Sequence, residues 1–137
     1  MGIRPALAVV AVVVCTACGH DHTAPPIAAT PTAPTTADTI EYRVSGNVGG
    51  APVLIKYTNS IDGLTVLPAD GLPYVASVRS SDDAVFLFLE ASANAVTAVG
   101  VTPLLQVSIV INGRVFRDAY ATGFGPIVAT ASGTWRR

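Results

Sequence analysis

Between Leu105 and Ala119 the sequence reads LQVSIVINGRVFRDA. Leu105, Val107, Ile109 and Ile111 recur at every second residue, a period that lines up one face of a strand and would scatter around a helix. The pair Asn112-Gly113 then supplies two residues that tolerate φ > 0, the requirement of a type I′ turn, and Arg114 to Ala119 runs back. The chain must therefore contain an antiparallel hairpin here, with one dry face that needs a partner layer.

The same period appears from Ile40 onward. Ile40, Tyr42 and Val44 alternate with Glu41, Arg43 and Ser45, and after the turn-rich GNVGGAP the residues Val53, Ile55 and Tyr57 share a face. Asn59 to Gly63 reads as a turn. Short strands follow near Leu64–Leu67 and Tyr74–Arg79, divided by Pro68, Gly71 and Pro73, and the two prolines favour sheet edges or corners because each removes a ladder donor. Ser80 to Asp83 turns the chain into Ala84–Glu90, which is apolar on both faces: either a central strand covered on each side or a surface kept for a partner. A last strand runs from Ile127 to about Ser132, past the glycines of TGFGP. About seven short strands with turns at close intervals and no helical period predict an all-β fold, a two-sheet antiparallel immunoglobulin-like sandwich, with a small barrel as the alternative.

The first residues follow a different logic. From Pro5 to Ala17 an uncharged run of about 13 residues follows Arg4, whereas a helix needs about 20 to cross a hydrocarbon core. One positive charge, a Val/Ala/Leu core and small residues give the layout of an export signal over residues 1–17. Cys15-Thr-Ala-Cys18 has CxxC spacing, but a redox site needs a βαβ context and a closed zinc site needs four ligands, and no Cys or His follows His22. Thr16-Ala17-Cys18-Gly19 resembles the lipobox of bacterial lipoproteins, whose cysteine is diacylated and becomes the mature N-terminus; an ordinary cut after Ala17 is the alternative. The resemblance makes Cys18 the lipid attachment site. Two or three acyl chains hold a protein stably on a bilayer where one binds only marginally.

Residues 18–39 are rich in Thr, Ala and Pro and read as a tether. At about 3.1 Å per residue in polyproline II, roughly 20 residues would lift a domain up to about 60 Å from a membrane surface. His20-Asp21-His22 within it is a solvated spacer, since two imidazoles and a carboxylate on an unordered chain make no preorganised metal site. The folded domain is residues 40–137.

Charge and residue chemistry exclude several functions. With eight Lys and Arg against nine Asp and Glu, the net charge is -1, which offers no basic stripe for nucleic acid. Residues 23 to 137 contain neither His nor Cys, so the usual base–nucleophile pairs of hydrolases are absent. Glu41, Asp62, Asp70, Asp82, Asp83, Glu90 and Asp118 fall at turns or wet faces, and Gly49-Gly50, Gly123 and Gly125 read as turn glycines, not a phosphate cradle. The expectation is a protein that is not an enzyme and takes no cofactor and no metal.

The segments IEYRVSG, VLIKYTN, LPY at Leu72–Tyr74 and VSIVINGRVFRDAYATG at Val107–Gly123 resemble, in order and spacing, the soluble domain of the mycobacterial MmpS family, over nearly all of Ile40 to Ser132. The resemblance implies a sandwich outside the plasma membrane that assists an integral-membrane MmpL-type transporter in exporting lipids or siderophores. The chain departs from the family in ending its apolar run at a lipobox-like cysteine in place of a transmembrane helix, and in having no cysteine in the domain. The expected function is a lipid-anchored accessory module on the outer face of the plasma membrane; the alternative is a carrier of one apolar ligand in a cavity between the sheets. Phe86, Phe88 and Phe116 are the candidate partner contacts. Phe86 and Phe88 share a face whose opposite, Val85, Leu87 and Leu89, supplies core, and Phe116 stands between Arg114 and Asp118 on the side that reads as wet.

Overall fold

The computed structural model describes residues 36–59, 63–96 and 100–137, all within one compact unit, Pro34–Arg137. Eight strands form in chain order: β1 (Asp38–Asn47), β2 (Val53–Asn59), β3 (Gly63–Ala69), β4 (Tyr74–Ser80), β5 (Ala84–Ala95), β6 (Leu104–Ile111), β7 (Arg114–Thr122) and β8 (Gly125–Arg136). They make two antiparallel sheets of four, in the orders β4-β1-β6-β7 and β3-β2-β5-β8. The fold is the two-sheet sandwich that the alternation requires. The β2–β3 and β6–β7 pairs are hairpins, and every other connection crosses from one sheet to the other, which locks the two layers together.

The period-two faces land as their sequence dictates. Ile40, Tyr42 and Val44 of β1, Val53 and Ile55 of β2, Leu87 and Leu89 of β5 and Leu105, Val107 and Ile109 of β6 are buried together between the sheets. Each such side chain withdrawn from water contributes about 1.5–3 kcal/mol. Asn112 (φ 49) and Gly113 (φ 80) form the expected left-handed pair between β6 and β7. Pro68 sits in β3 and Pro73 just before β4, and both strands are edges, where a missing donor costs no ladder bond.

Within the core one side chain bridges the layers. The β2–β5 ladder ends at Tyr57↔Leu89, and beyond it Thr58 replaces the backbone: its Oγ1 accepts the Phe88 amide at 3.0 Å and donates to the Phe86 carbonyl at 3.4 Å. With that hydrogen committed, the buried Tyr42 hydroxyl is the donor in its 2.9 Å bond to Thr58 Oγ1. Tyr57 packs on Tyr42 with ring centroids 5.0 Å apart.

One strand decides between the alternatives left open and another departs from the expectation. β5 is central in its sheet with its inner face buried, while on its outer face Phe88 is half-buried and Phe86 remains 58% exposed. Phe116 does not lie on the wet side of β7. Ile109 pairs with Arg117 and Val110 with Val115, so Phe116 is the extra residue of a β-bulge and breaks the alternation. It turns inward, half-buried, and meets Trp135 edge-to-face at 5.7 Å between centroids.

Candidate functional site

The three aromatic candidates do not form one surface. Phe86 and Phe88 project from the outer face of the β3-β2-β5-β8 sheet, Phe88 half-buried beside its neighbours. Phe116 belongs to the wall between β7 and β8, with the Arg117 guanidinium 4.9 Å above its ring and Gly133 against its Cζ and Cε1 atoms. A Cβ at Gly133 would stand 3.1 Å from the Phe116 ring, so that strand glycine is there for close approach. With Trp135, Ile111, Asn112, Arg114 and Val115, Phe116 lines an open depression of about 570 Å³. Cys18, the expected lipid attachment site, lies outside the described residues, as do the His20–His22 spacer and Asp62.

The structure assembles a polar cluster that single-residue reading missed. Asp38, at the start of β1, accepts from Asn112 Nδ2 at 2.8 Å, Trp135 Nε1 at 2.9 Å and Arg137 Nε at 2.9 Å. Arg137 extends the clasp by donating to the carbonyls of Thr36 at 2.7 Å, Ser80 at 2.9 Å and Ser81 at 3.2 Å. Asn112 closes it, its backbone amide and side chain both engaged with Thr39. The bonds from Asn112, then Trp135, then Arg137 stabilise the carboxylate and hold Asp38 down at a pKa of about 2. Asp38, Asn112 and Trp135 are all satisfied by one another, which makes the cluster a structural clasp, not a poised acid or base.

Two further ion pairs are local. Glu41 bonds Arg43 on the outer face of one sheet, and Lys56 bonds Glu90 at 2.8 Å on the outer face of the other. Tyr74 is pushed up to about 12, chiefly by burial and then by its bond to Tyr57, so it stays a phenol. No group of three or more His, Cys, Asp or Glu stands together among the described residues.

At the end of the sandwich opposite Asp38 the character reverses. The strands terminate there at Asn47, Val53, Ala69, Tyr74, Ala95, Leu104, Thr122 and Gly125, and among the described residues of the connections that join them only Asp70 is charged. Val96, Val101, Leu104, Tyr120, Phe124 and Val128 are exposed at or beside this end. Beside it, on the outer face of the β3-β2-β5-β8 sheet, an open apolar depression of about 430 Å³ is lined by Pro52, Leu54, Pro68, Pro126 and Val128 among others. A sequence signal for this was present: no charged residue occurs from 91 to 113 or from 119 to 135.

Of the sequence segments quoted above, IEYRVSG lies within β1, VLIKYTN is β2, Tyr74 of LPY is the first residue of β4, and VSIVINGRVFRDAYATG covers most of the β6–β7 hairpin. No protein-family model matches the chain, and no curated protein sequence matches it.

Proposed function

We propose that the protein is a non-enzymatic accessory module, anchored through acylated Cys18 to the outer face of the plasma membrane, that docks on an integral-membrane transporter of the MmpL type. Support for the anchor comes from the Thr16-Ala17-Cys18-Gly19 lipobox pattern and an apolar run too short to span. Support for a protein-docking role over ligand carriage comes from one observation, the filling of the interior. Between the sheets, where Ile40, Tyr42, Val85 and Leu87 converge, a depression holds about 30 Å³, and the 570 Å³ depression that Ile111, Phe116 and Trp135 line is open at the clasped end, with the polar Asn112 and Arg114 in its wall. An apolar-ligand pocket needs roughly 300 Å³ or more. Phe86, exposed on a rigid central strand, then serves as a docking contact, with the Lys56–Glu90 pair on the same outer face as a polar neighbour.

The test has two arms. The intact mass of the protein recovered from membranes should show Cys18 as an acylated N-terminus, and Cys18→Ala should release the chain from membranes or block its processing. A photoreactive side chain at position 86 should crosslink in living cells to a transporter of this class. A free Cys18 thiol on a soluble mature chain removes the anchor, and crosslinks that never include a membrane transporter remove the docking role.

A further inference from the structure

The open depression of about 570 Å³ at the clasped end has a floor and a rim of opposite character. Ile111 is buried and Phe116 and Trp135 half-buried, so an edge-to-face aromatic pair and one aliphatic side chain make the floor. Asn112, Arg114 and Val115 are exposed and make the rim. The hollow falls in the size range of small-molecule sites, roughly 300–1,000 Å³.

Floor and wall are held by the fold itself. Asp38 fixes Trp135 through Nε1 at 2.9 Å and Asn112 through Nδ2 at 2.8 Å. The β7 bulge turns Phe116 inward, and Gly133 leaves room for its ring. A surface already in place spares a ligand the cost of ordering it.

The rim can only donate. Trp135 Nε1 is engaged with Asp38, and Asn112 Oδ1 accepts the Thr39 amide at 3.0 Å. Arg114 makes no hydrogen bond and no ion pair among the described residues. Its guanidinium is a planar fork of five N–H donors with no acceptor, a shape that matches carboxylate and phosphate oxygens two at a time. Arg117 adds a second positive charge, stacked 4.9 Å from the centre of the Phe116 ring. The nearby acids are turned elsewhere: Asp38 is enclosed by its three donors, Asp118 stands on the outer face of the sheet, and Ser80–Asp83 lies beyond β1 in the order β4-β1-β6-β7. An inorganic anion would leave the aromatic floor uncovered, and a wholly apolar molecule would meet a cationic rim.

We infer that the depression between the β6–β7 turn and the end of β8 binds an amphipathic anion, its carboxylate or phosphate on Arg114 and its apolar part against Phe116 and Trp135. The site rests neither on the Cys18 anchor nor on a transporter partner, so it can fail while both of those stand.

Trp135 is the single tryptophan of the chain and lines the depression, which makes it the reporter. The full chain carrying Cys18→Ser would be titrated at pH 7 with decanoate, decyl phosphate, decanol and decyltrimethylammonium, each below its micelle concentration, and with inorganic phosphate. Fluorescence and calorimetry should show saturable binding of decanoate and decyl phosphate, binding at least tenfold weaker for decanol and decyltrimethylammonium, and none for inorganic phosphate. Arg114→Gln should weaken decanoate about tenfold, leaving decanol binding and the melting temperature as they were. Arg79→Gln, an exposed arginine on the opposite edge strand β4, should change neither. Phosphatidylglycerol vesicles separate the sources: an Arg114-dependent response to them puts the anion in a lipid headgroup, and its absence beside decanoate binding makes the ligand a free molecule. Equal affinity for decanoate and decanol, indifference to Arg114→Gln, silence in both measurements, or a response to vesicles alone overturns the inference.

Discussion

The two ends of this sandwich are built from different materials. At the clasped end Asp38 gathers Asn112, Trp135 and Arg137, and Arg137 in turn ties down Thr36, Ser80 and Ser81. At the opposite end the connections are closed by backbone bonds and by glycines, where Gly46 (φ 135) and Gly49 (φ 71) bring the chain against the carbonyls of Leu104 and Val96. Charge at one end can be titrated and screened; steric closure at the other cannot. The comparison teaches that acid should loosen only the clasped end, whereas added bulk should break the other.

The largest effect belongs to Gly46→Ala. A Cβ there would stand 2.1 Å from the Leu104 carbonyl oxygen at a φ that L-residues avoid, and neither backbone segment can yield cheaply. Thermal or urea unfolding should show a loss of about 3 kcal/mol or more. If Gly46→Ala unfolds like the wild type, the steric account of that end is wrong.

Next comes the wall between the sheets. Phe116→Ala removes the ring that meets Trp135 and covers Gly133, and half-burial scales the loss to roughly 2 kcal/mol, below the 3–5 of a fully buried ring. Phe86→Ala, by contrast, should move stability by no more than about 0.5 kcal/mol. A double set of melts separates them, and equal losses would mean that Phe86 is core.

The acid response is smaller and has a fixed sign. Because folding lowers the Asp38 pKa from 3.8 to about 2, its contribution is complete above pH 3.8 and disappears as pH falls toward 2. Asp38→Asn should flatten this part of the stability–pH curve while leaving stability near the Gly46 end unaffected. Hydrogen exchange at Thr39 and Asn112 against Ala51 and Val96 would resolve the two ends, and uniform loosening on acidification would contradict the division.

Much of the fold was legible because strand alternation and turn chemistry are local. Ile40–Val44, Val53–Tyr57 and Leu105–Ile111 show their buried faces in the sequence itself, since only a neighbouring layer can dry every second residue. The candidate surface was less legible. Phe86 and Phe88 follow from simple parity along β5, but Phe116 was read by the same parity and misplaced, because a bulge adds one residue to β7 and inverts the face from that point. Nothing within β7 announces the bulge; it arises in pairing with β6.

What the sequence by itself determined is therefore the set of strands, their inward faces except around the β7 bulge, the Asn112–Gly113 reversal and the edge positions of the Pro68 and Pro73 segments, all governed by interactions a few residues apart. Only the tertiary structure decided that Asp38 would meet Asn112, Trp135 and Arg137, partners 74, 97 and 99 residues away. It alone also collected the uncharged stretches 91–113 and 119–135 at one end. The physical reason is that hydrogen bonds and surface character depend on which strand ends the sheet order brings together, and sheet order is set by the packing of both layers at once.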